Sequence, residues 1–426
     1  MLAFPDVWRT MRGGHCRHGR RHETFHPARK GCDLNSFALV SFALLSALPG
    51  EPMSAAKDAE HVIVYYEAGR FGGWPANHGM WNWGDEILVG YSRGFDKDLG
   101  ATRHHIDREK PEEFWFARSL DGGKTWSHEH PAEQGSMIPR GDALHGTETP
   151  GLKLPPITDL KNPMDFSHPN FVLAFRMENI HAGTSRFEYS YDRGKTWSGP
   201  YRLPNFGTPG TAARTDYIIG GQHEMYNFIT VGKANKREGR PLCARTTDGG
   251  VTWEFVSWIG PEPAGFAIMP STVRLSDAEF LTTLRCREGT FRWLEQWRST
   301  DGAKTWTQEP NPVDYLGEGN PPMLNQLSDG RLCLTYGFRA YPFGIRARLS
   351  SDNGKTWGPQ IVLRNDGIDR DVGYVRSIQR PDGKMVTTYY ITDRKTGPER
   401  YIGATIWDPN QVVPITSGEV ERQLGF

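Results

Sequence analysis

The chain has 426 residues, 50 of them Lys or Arg and 50 Asp or Glu, so its formal net charge is zero. That balance argues against nucleic acid as the main partner, since such proteins carry a basic excess. Hydrophobic residues make up 37% and aromatic residues 12%, with 48 Gly and 30 Pro, the composition of a turn-rich globular protein.

Residues 9–30 are rich in Arg and His, and 36–48 form the apolar run SFALVSFALLSAL. A run of this length suits a signal peptide and is too short for a membrane span. Residues 1–60 therefore read as a leader, and the protein as secreted or periplasmic; a start near Met53 would leave it cytoplasmic. Residues 61–426 read as one domain. Of the cysteines, Cys16 and Cys32 lie in the leader, whereas Cys243, Cys286 and Cys333 lie in apolar strand-like runs. They read as buried free thiols, and no metal-ligand spacing or organic-cofactor motif occurs.

From His61 onward, short apolar runs rich in β-branched and aromatic residues alternate with Gly, Asn and Asp turns, the all-β pattern. Glu86-Ile-Leu-Val-Gly-Tyr91, Glu279-Phe-Leu-Thr-Thr-Leu284 and Arg331-Leu-Cys-Leu-Thr-Tyr336 are examples. Superposed on this is an octapeptide, Ser/Thr-x-Asp-x-Gly/Ala-x-Thr-Trp, at 119–126, 190–197, 246–253, 299–306 and 350–357. Successive copies start 71, 56, 53 and 51 residues apart, the length of one four-stranded propeller blade. Each copy reads as a turn between two strands. The Asp accepts hydrogen bonds from backbone N–H groups of its own turn, the Gly supplies a positive φ, and the Trp fills the gap between neighbouring sheets. Five boxed blades plus the segments at either end predict an all-β, six-bladed propeller of four-stranded antiparallel blades, one of them closed by residues near both termini. The boxes are fold staples, not catalytic parts.

The boxes, their order and the blade count resemble the sialidase (neuraminidase) superfamily over roughly residues 61–409. The resemblance implies a central pocket for an acidic sugar, three Arg gripping its carboxylate, a Tyr–Glu pair supplying the nucleophile and an Asp as general acid/base. Arg70, before Gly-Gly-Trp-Pro75, resembles the first Arg. Arg285 or Arg287, in Leu284-Arg-Cys-Arg287, occupies the place of the second, and Arg339 is preferred to Arg346 for the third. Asp107, in His104-His-Ile-Asp-Arg108, falls where the acid lies, with His105 or His104 as alternative proton carriers. Tyr374, ahead of the Pro-Asp-Gly383 turn, resembles the nucleophile. The family's Glu is missing: Met269 stands there, and Glu262, Glu318, Asp371 and Glu224 are the possible substitutes. Without a base, a Tyr with a pKa near 10 is only about one part in a thousand ionised at pH 7.

Three further segments carry chemistry outside this template. The aromatic segment 74–86, with Asn77, His78, Asp85 and Glu86, either lines a sugar subsite or caps the ring. Arg214 and Asp216, beside Tyr217, form a structural ion pair or face the pocket. His168 and Arg176 stand in the second blade.

The resemblance implies a sialidase-like exo-glycosidase acting on terminal acidic sugars. Tyr374 would be the nucleophile, Asp107 the acid/base, and Arg70, Arg285, Arg287, Arg339, Arg214 and His105 the substrate-binding set. The alternatives are a lyase on uronic-acid glycans, pairing Tyr217 or Tyr374 with His105, His168 or His223, and a non-catalytic glycan-binding propeller. In each case the partner is a glycan, with no membrane span and no cofactor.

Overall fold

The computed structural model describes residues 53–100, 102–139 and 147–415. The leader reading falls mostly on residues outside these, as do Cys16 and Cys32. Among the described residues the chain folds into six sheets arranged as blades, antiparallel except where one added strand joins blade five. Blade one runs Arg70–Gly73, Glu86–Phe95, Glu113–Ser119, Ser127–Glu129, with Met80–Trp83 also paired to its second strand. Blade three is built on Met225–Gly232 and Glu238–Thr246, blade four on Phe266–Arg274 to Thr307–Val313, and blade five on Pro322–Gln326 to Gln360–Gly367. Blade six takes Gly373–Gln379, Met385–Ile391 and Tyr401–Trp407, and its outer strand is Glu60–Tyr65 from the start of the domain. The expected joining of the two ends is thus a strand pairing. A second clasp begins before the expected boundary at 61. Met53–Ala56 pairs in parallel with Gln360–Gly367 and antiparallel with Val412–Ile415 on the edge of blade five.

Blade two departs from four strands. It has Val172–Met177, Ser185–Ser190 and Ser198–Leu203. On the uncovered edge of Val172–Met177, side chains stand in for a strand: Leu173 N–H donates to the Tyr217 hydroxyl (3.3 Å) and Phe175 N–H to the Thr215 hydroxyl (3.1 Å). Trp81 Nε1 also donates to the Tyr217 oxygen (3.0 Å). Tyr217 is therefore a structural hydroxyl rather than a free base.

The five boxes share one geometry. In the first, Asp121 Oδ1 accepts from Ser119 Oγ (2.8 Å), Lys124 N–H (3.1 Å) and Thr125 N–H (2.9 Å), and Oδ2 from Thr125 Oγ1 (2.6 Å). The same Thr-hydroxyl-to-Asp bond recurs at Asp192, Asp248, Asp301 and Asp352. Position five takes φ between +65° and +93° in all copies, Ala303 included.

Buried apolar side chains divide into six clusters, one in each seam between adjacent blades. Each box Trp enters the seam before its own blade. Trp197 stacks on Phe116 at 5.3 Å, Trp253 meets Phe175 and Phe187 edge-on, and Trp306 meets Phe228. Trp357 Nε1 donates to Gln296 (2.9 Å), and Trp126 packs in the seam between blades six and one. Blade six has no box, and there Trp407 fills the seam to blade five. Cys243, Cys286 and Cys333 are buried free thiols, as expected. No helix among the described residues is long and apolar enough to cross a membrane.

The Thr hydroxyls and the turn's own N–H groups hold Asp121, Asp301 and Asp352 at about 2. These values lie below that of an unfolded Asp, so the boxes' contribution is complete above about pH 4 and is lost as pH falls through about 2. Denaturant midpoints measured at pH 5, 3 and 2 should fall in that order. Asp301→Ala should cost about 1 kcal/mol, read as a lower calorimetric midpoint at pH 7.

Candidate active site

The inner edges of the blades enclose a pocket of about 310 Å³. Trp74, Asn77, His78, Ser92 and Phe114 come from blade one and its inner turn, and His104, Arg108 and Glu112 from the following loop. Opposite stand Arg176 and Asn179 of blade two, Arg214 of blade three, Phe266, Ile268 and Arg285 of blade four, and Tyr374 of blade six. The aromatic segment 74–86 divides its work. Trp74, Asn77 and His78 line the pocket, whereas Trp81 and Trp83 pack in the seam to blade two and Glu86 pairs with Arg118 and Arg193.

Tyr374 sits at φ +48°, a conformation costly for a side chain of this size. Buried Asn320 holds it there: its carbonyl accepts Tyr374 N–H (2.8 Å) and its amide donates to Val372 O (2.7 Å). Gly373 precedes it because a Cβ there would lie 2.3 Å from the Asn320 amide nitrogen. This presents the phenol to Arg285, whose Nη1 donates to the Tyr374 oxygen at 3.1 Å.

Behind Tyr374 lies a buried charged layer. Asp371 accepts from His104 Nδ1 (2.6 Å), from Arg339 Nη2 (3.4 Å) and from the Tyr390 hydroxyl, with Arg400 Nε at 3.5 Å. Burial alone would raise Asp371, but His104 first, then Arg339 and Arg400, outweigh it and hold the carboxylate far down. Burial lowers His104 in spite of Asp371. An Nδ1–H donated to Asp371 leaves Nε2 as the basic nitrogen. The His104 ring stands edge-on to Tyr374, centroids 6.1 Å apart.

Four of the expected residues, Tyr374, Arg285, Arg214 and the alternative proton carrier His104, meet in the pocket. The others stand elsewhere. Arg70 is clamped by both oxygens of Glu148 (2.8 Å each) and covers Phe95, away from the pocket. Arg287, at the exposed end of its strand, donates to Gly289 O. Arg339 lies one layer back, 5.6 Å from the Tyr374 ring, and donates to Val372 O and Tyr390. Asp107 is taken by Glu109 N–H (3.1 Å) and Lys97 (3.2 Å), which keep it ionised, and His105 turns to Asp98 and Gly100. Their loop therefore reaches the pocket through His104, Arg108 and Glu112. Arg214 does not pair with Asp216. It donates to Asn77 (3.0 Å), and Asp216 pairs with Arg376 (3.5 Å) while burial pushes it up to about 6. Met269, at φ +53°, faces the narrow cavity shared by Asp216, Arg376 and Arg214. Of the proposed substitutes for the missing Glu, Asp371 stands behind Tyr374, held by His104, Arg339 and Tyr390, and Glu224 is held by Arg245 (2.6 Å).

Residues 115–387 match the family model described as the BNR repeat-like domain. The chain belongs to this family. No curated protein matches it in sequence. Among solved structures, a protein of unknown function from Dyadobacter fermentans is 20% identical with a TM-score of 0.62, over 82% of this chain and 98% of that one. A mutant Trypanosoma rangeli sialidase displaying trans-sialidase activity is 11% identical with a TM-score of 0.53, over 87% of this chain and 61% of its own length. An α-L-arabinofuranosidase from Fusarium graminearum is 12% identical with a TM-score of 0.52, over 82% and 99%. At these identities the likeness is one of fold.

Sequence reasoning passed over Glu112, Ser92 and Asn320, and set Arg176 aside. Arg176 is 3% exposed, and its Nε and Nη2 have no hydrogen-bond partner among the described residues. Nη1 donates to Phe175 O (2.8 Å), and burial pushes the guanidinium down to about 9 against the pull of Glu188. A buried charge whose donors lack partners destabilises its fold. Arg176→Met should therefore leave the thermal midpoint unchanged or raise it. A drop of several degrees would mark Arg176 as structural.

Proposed function

We propose that this BNR repeat-like propeller is an exo-acting glycoside hydrolase for terminal acidic sugars. The observation that carries the reading is the convergence of Arg176, Arg214 and Arg285 with Tyr374 in one pocket. Guanidinium forks suit a carboxylate because they engage both its oxygens. The fold shared with proteins named as sialidases and arabinofuranosidases supports it, although fold alone never assigns activity.

In this reading the three arginines hold the sugar carboxylate and bring the anomeric carbon to Tyr374. His104, oriented by Asp371, takes the phenolic proton at Nε2 as the Tyr374 oxygen bonds to that carbon and the glycosidic C–O bond breaks. Arg285, already donating to the phenol oxygen at 3.1 Å, stabilises charge developing there. His104 does the work of the absent Glu, so Met269 does not silence the site.

A lyase acting on uronic-acid glycans is the second reading. The neutral His104 beside Tyr374 favours it, since that pair can also remove a proton next to a uronate carboxylate. The products separate the two. Incubation with 4-methylumbelliferyl glycosides of N-acetylneuraminic and glucuronic acid, and with uronate polysaccharides, should release fluorophore and free acidic sugar without the absorbance of an unsaturated uronate. Tyr374→Phe should lower kcat by about 10³-fold or more with sugar binding retained. Unsaturated product would replace the hydrolase with the lyase, and binding without any product would leave a glycan-binding propeller.

A further inference from the structure

Hydrolysis through Tyr374 leaves one proton unassigned: the departing oxygen must receive one, and Asp107 is not in the pocket. Among the described residues lining the pocket, Glu112 is the one carboxyl group. It stands just before the strand Glu113–Ser119, where alternation sends successive side chains to opposite faces. Glu112 and Phe114 face the pocket, whereas Glu113 turns the other way, accepting Glu148 N–H (2.8 Å) and approaching His130 (3.4 Å).

The surroundings of Glu112 suit a carboxyl that cycles between its two forms. It is 3% exposed. Arg108 Nη1 donates to its Oε2 at 3.1 Å, but this arginine is itself part-exposed, which weakens its hold on a buried charge. Ser92 stands beside it in the pocket lining, with its Oγ 2.9 Å from His78 Nε2. Burial raises Glu112 above the usual carboxyl range against the opposing pull of Arg108 and Ser92. A carboxyl raised in this way keeps its proton to higher pH than a solvated one, and Arg108 stands ready for the anion that results.

We infer that Glu112 is the general acid/base of the hydrolysis, an assignment that rests on the hydrolase reading above. As the Tyr374 oxygen bonds to the anomeric carbon, the glycosidic C–O bond breaks and the Glu112 proton passes to the departing oxygen. The Glu112 carboxylate then takes a proton from water as the water oxygen bonds to that carbon. The Tyr374–carbon bond breaks, and the phenolate recovers its proton from His104. Both partners end as they began.

The test compares methyl and 4-nitrophenyl glycosides of N-acetylneuraminic and glucuronic acid on the full chain. Methanol leaves only when protonated, whereas 4-nitrophenolate leaves unaided. Glu112→Gln should lose about 10³-fold in kcat/KM on the methyl glycoside that the native enzyme cleaves. It should lose less than about 10-fold in the first-turnover release of 4-nitrophenolate, with sodium azide restoring turnover as the glycosyl azide. Glu112→Asp, which keeps an acid there, should lose less on the methyl glycoside than Gln does. An even loss on both leaving groups, or no loss, would overturn Glu112 while leaving the hydrolase standing. No release from any of these glycosides by the native chain would overturn the hydrolase reading and this role with it.

Discussion

An indole wedged against the preceding sheet closes each seam of the ring, and the Asp turn before it fixes where five of those indoles stand. No blade has a core of its own. Each buries its faces only against two neighbours, so the stability of the domain resides in six seams and not in one centre. A ring built this way must close to be stable. That explains why the strand Glu60–Tyr65 is paired with Tyr401–Trp407 and why Trp407 occupies the seam that has no box. The pocket inherits this constraint. Its walls come from five blades, so its side chains are brought together only when every seam is filled.

Charge is treated in opposite ways at the perimeter and at the centre. The residue before a box is repeatedly an Arg held by two Glu from flanking strands: Arg118 by Glu86 and Glu129, Arg245 by Glu224 and Glu254, and Arg298 by Glu279 and Glu309. These arginines are compensated within their own blades. In the pocket, Arg176 keeps two donors unpartnered among the described residues, and Arg285 leans on a phenol. Such an arrangement costs folding free energy, which the seams can supply. An anion arriving there meets donors already stripped of water and fixed in direction, the condition under which hydrogen bonds to charge are strongest.

The repeat made the ring legible because its spacing is a direct image of blade length, and box turns form locally. The centre was legible only in part. Tyr374 could be found because a Pro-Asp-Gly turn marks its strand, and Arg285 because a turn and strand precede it. Arg285 and Arg287 share a face by alternation, yet Arg287 lies where the strand leaves the pocket and meets solvent. Arg70 was drawn away by Glu148, some eighty residues distant, a partner that no local pattern announces. Arg339 has the right direction but the wrong depth. The loop expected to carry the acid does reach the pocket, but through His104, named as an alternative proton carrier, and not through Asp107 or His105, because a loop's side-chain directions follow from turns such as the Asp107 cap on Glu109 N–H and not from any period. Paired acids at the mouth of an apolar strand, Glu112-Glu113, were the available signal for the buried carboxyl.

Met269 bears on the chemistry through the backbone that carries it. The pairing of Phe266–Arg274 with Phe280–Glu288 slips between Ile268 and Ser271, and Met269 takes a positive φ with its N–H donated to Thr230 Oγ1 (2.8 Å). The slip leaves Ile268 on the pocket wall and turns Met269 to the neighbouring cavity. A carboxylate at 269 would then face Asp216, Arg376 and Arg214 in that cavity. The side of Tyr374 toward blade four thus carries Ile268, Phe266 and the guanidinium of Arg285, and an imidazole stands on the side of blade one. There His104 stands, its tautomer set by an aspartate that two further guanidinium groups hold ionised. The local backbone slip and the His104–Asp371 pair are two halves of one arrangement.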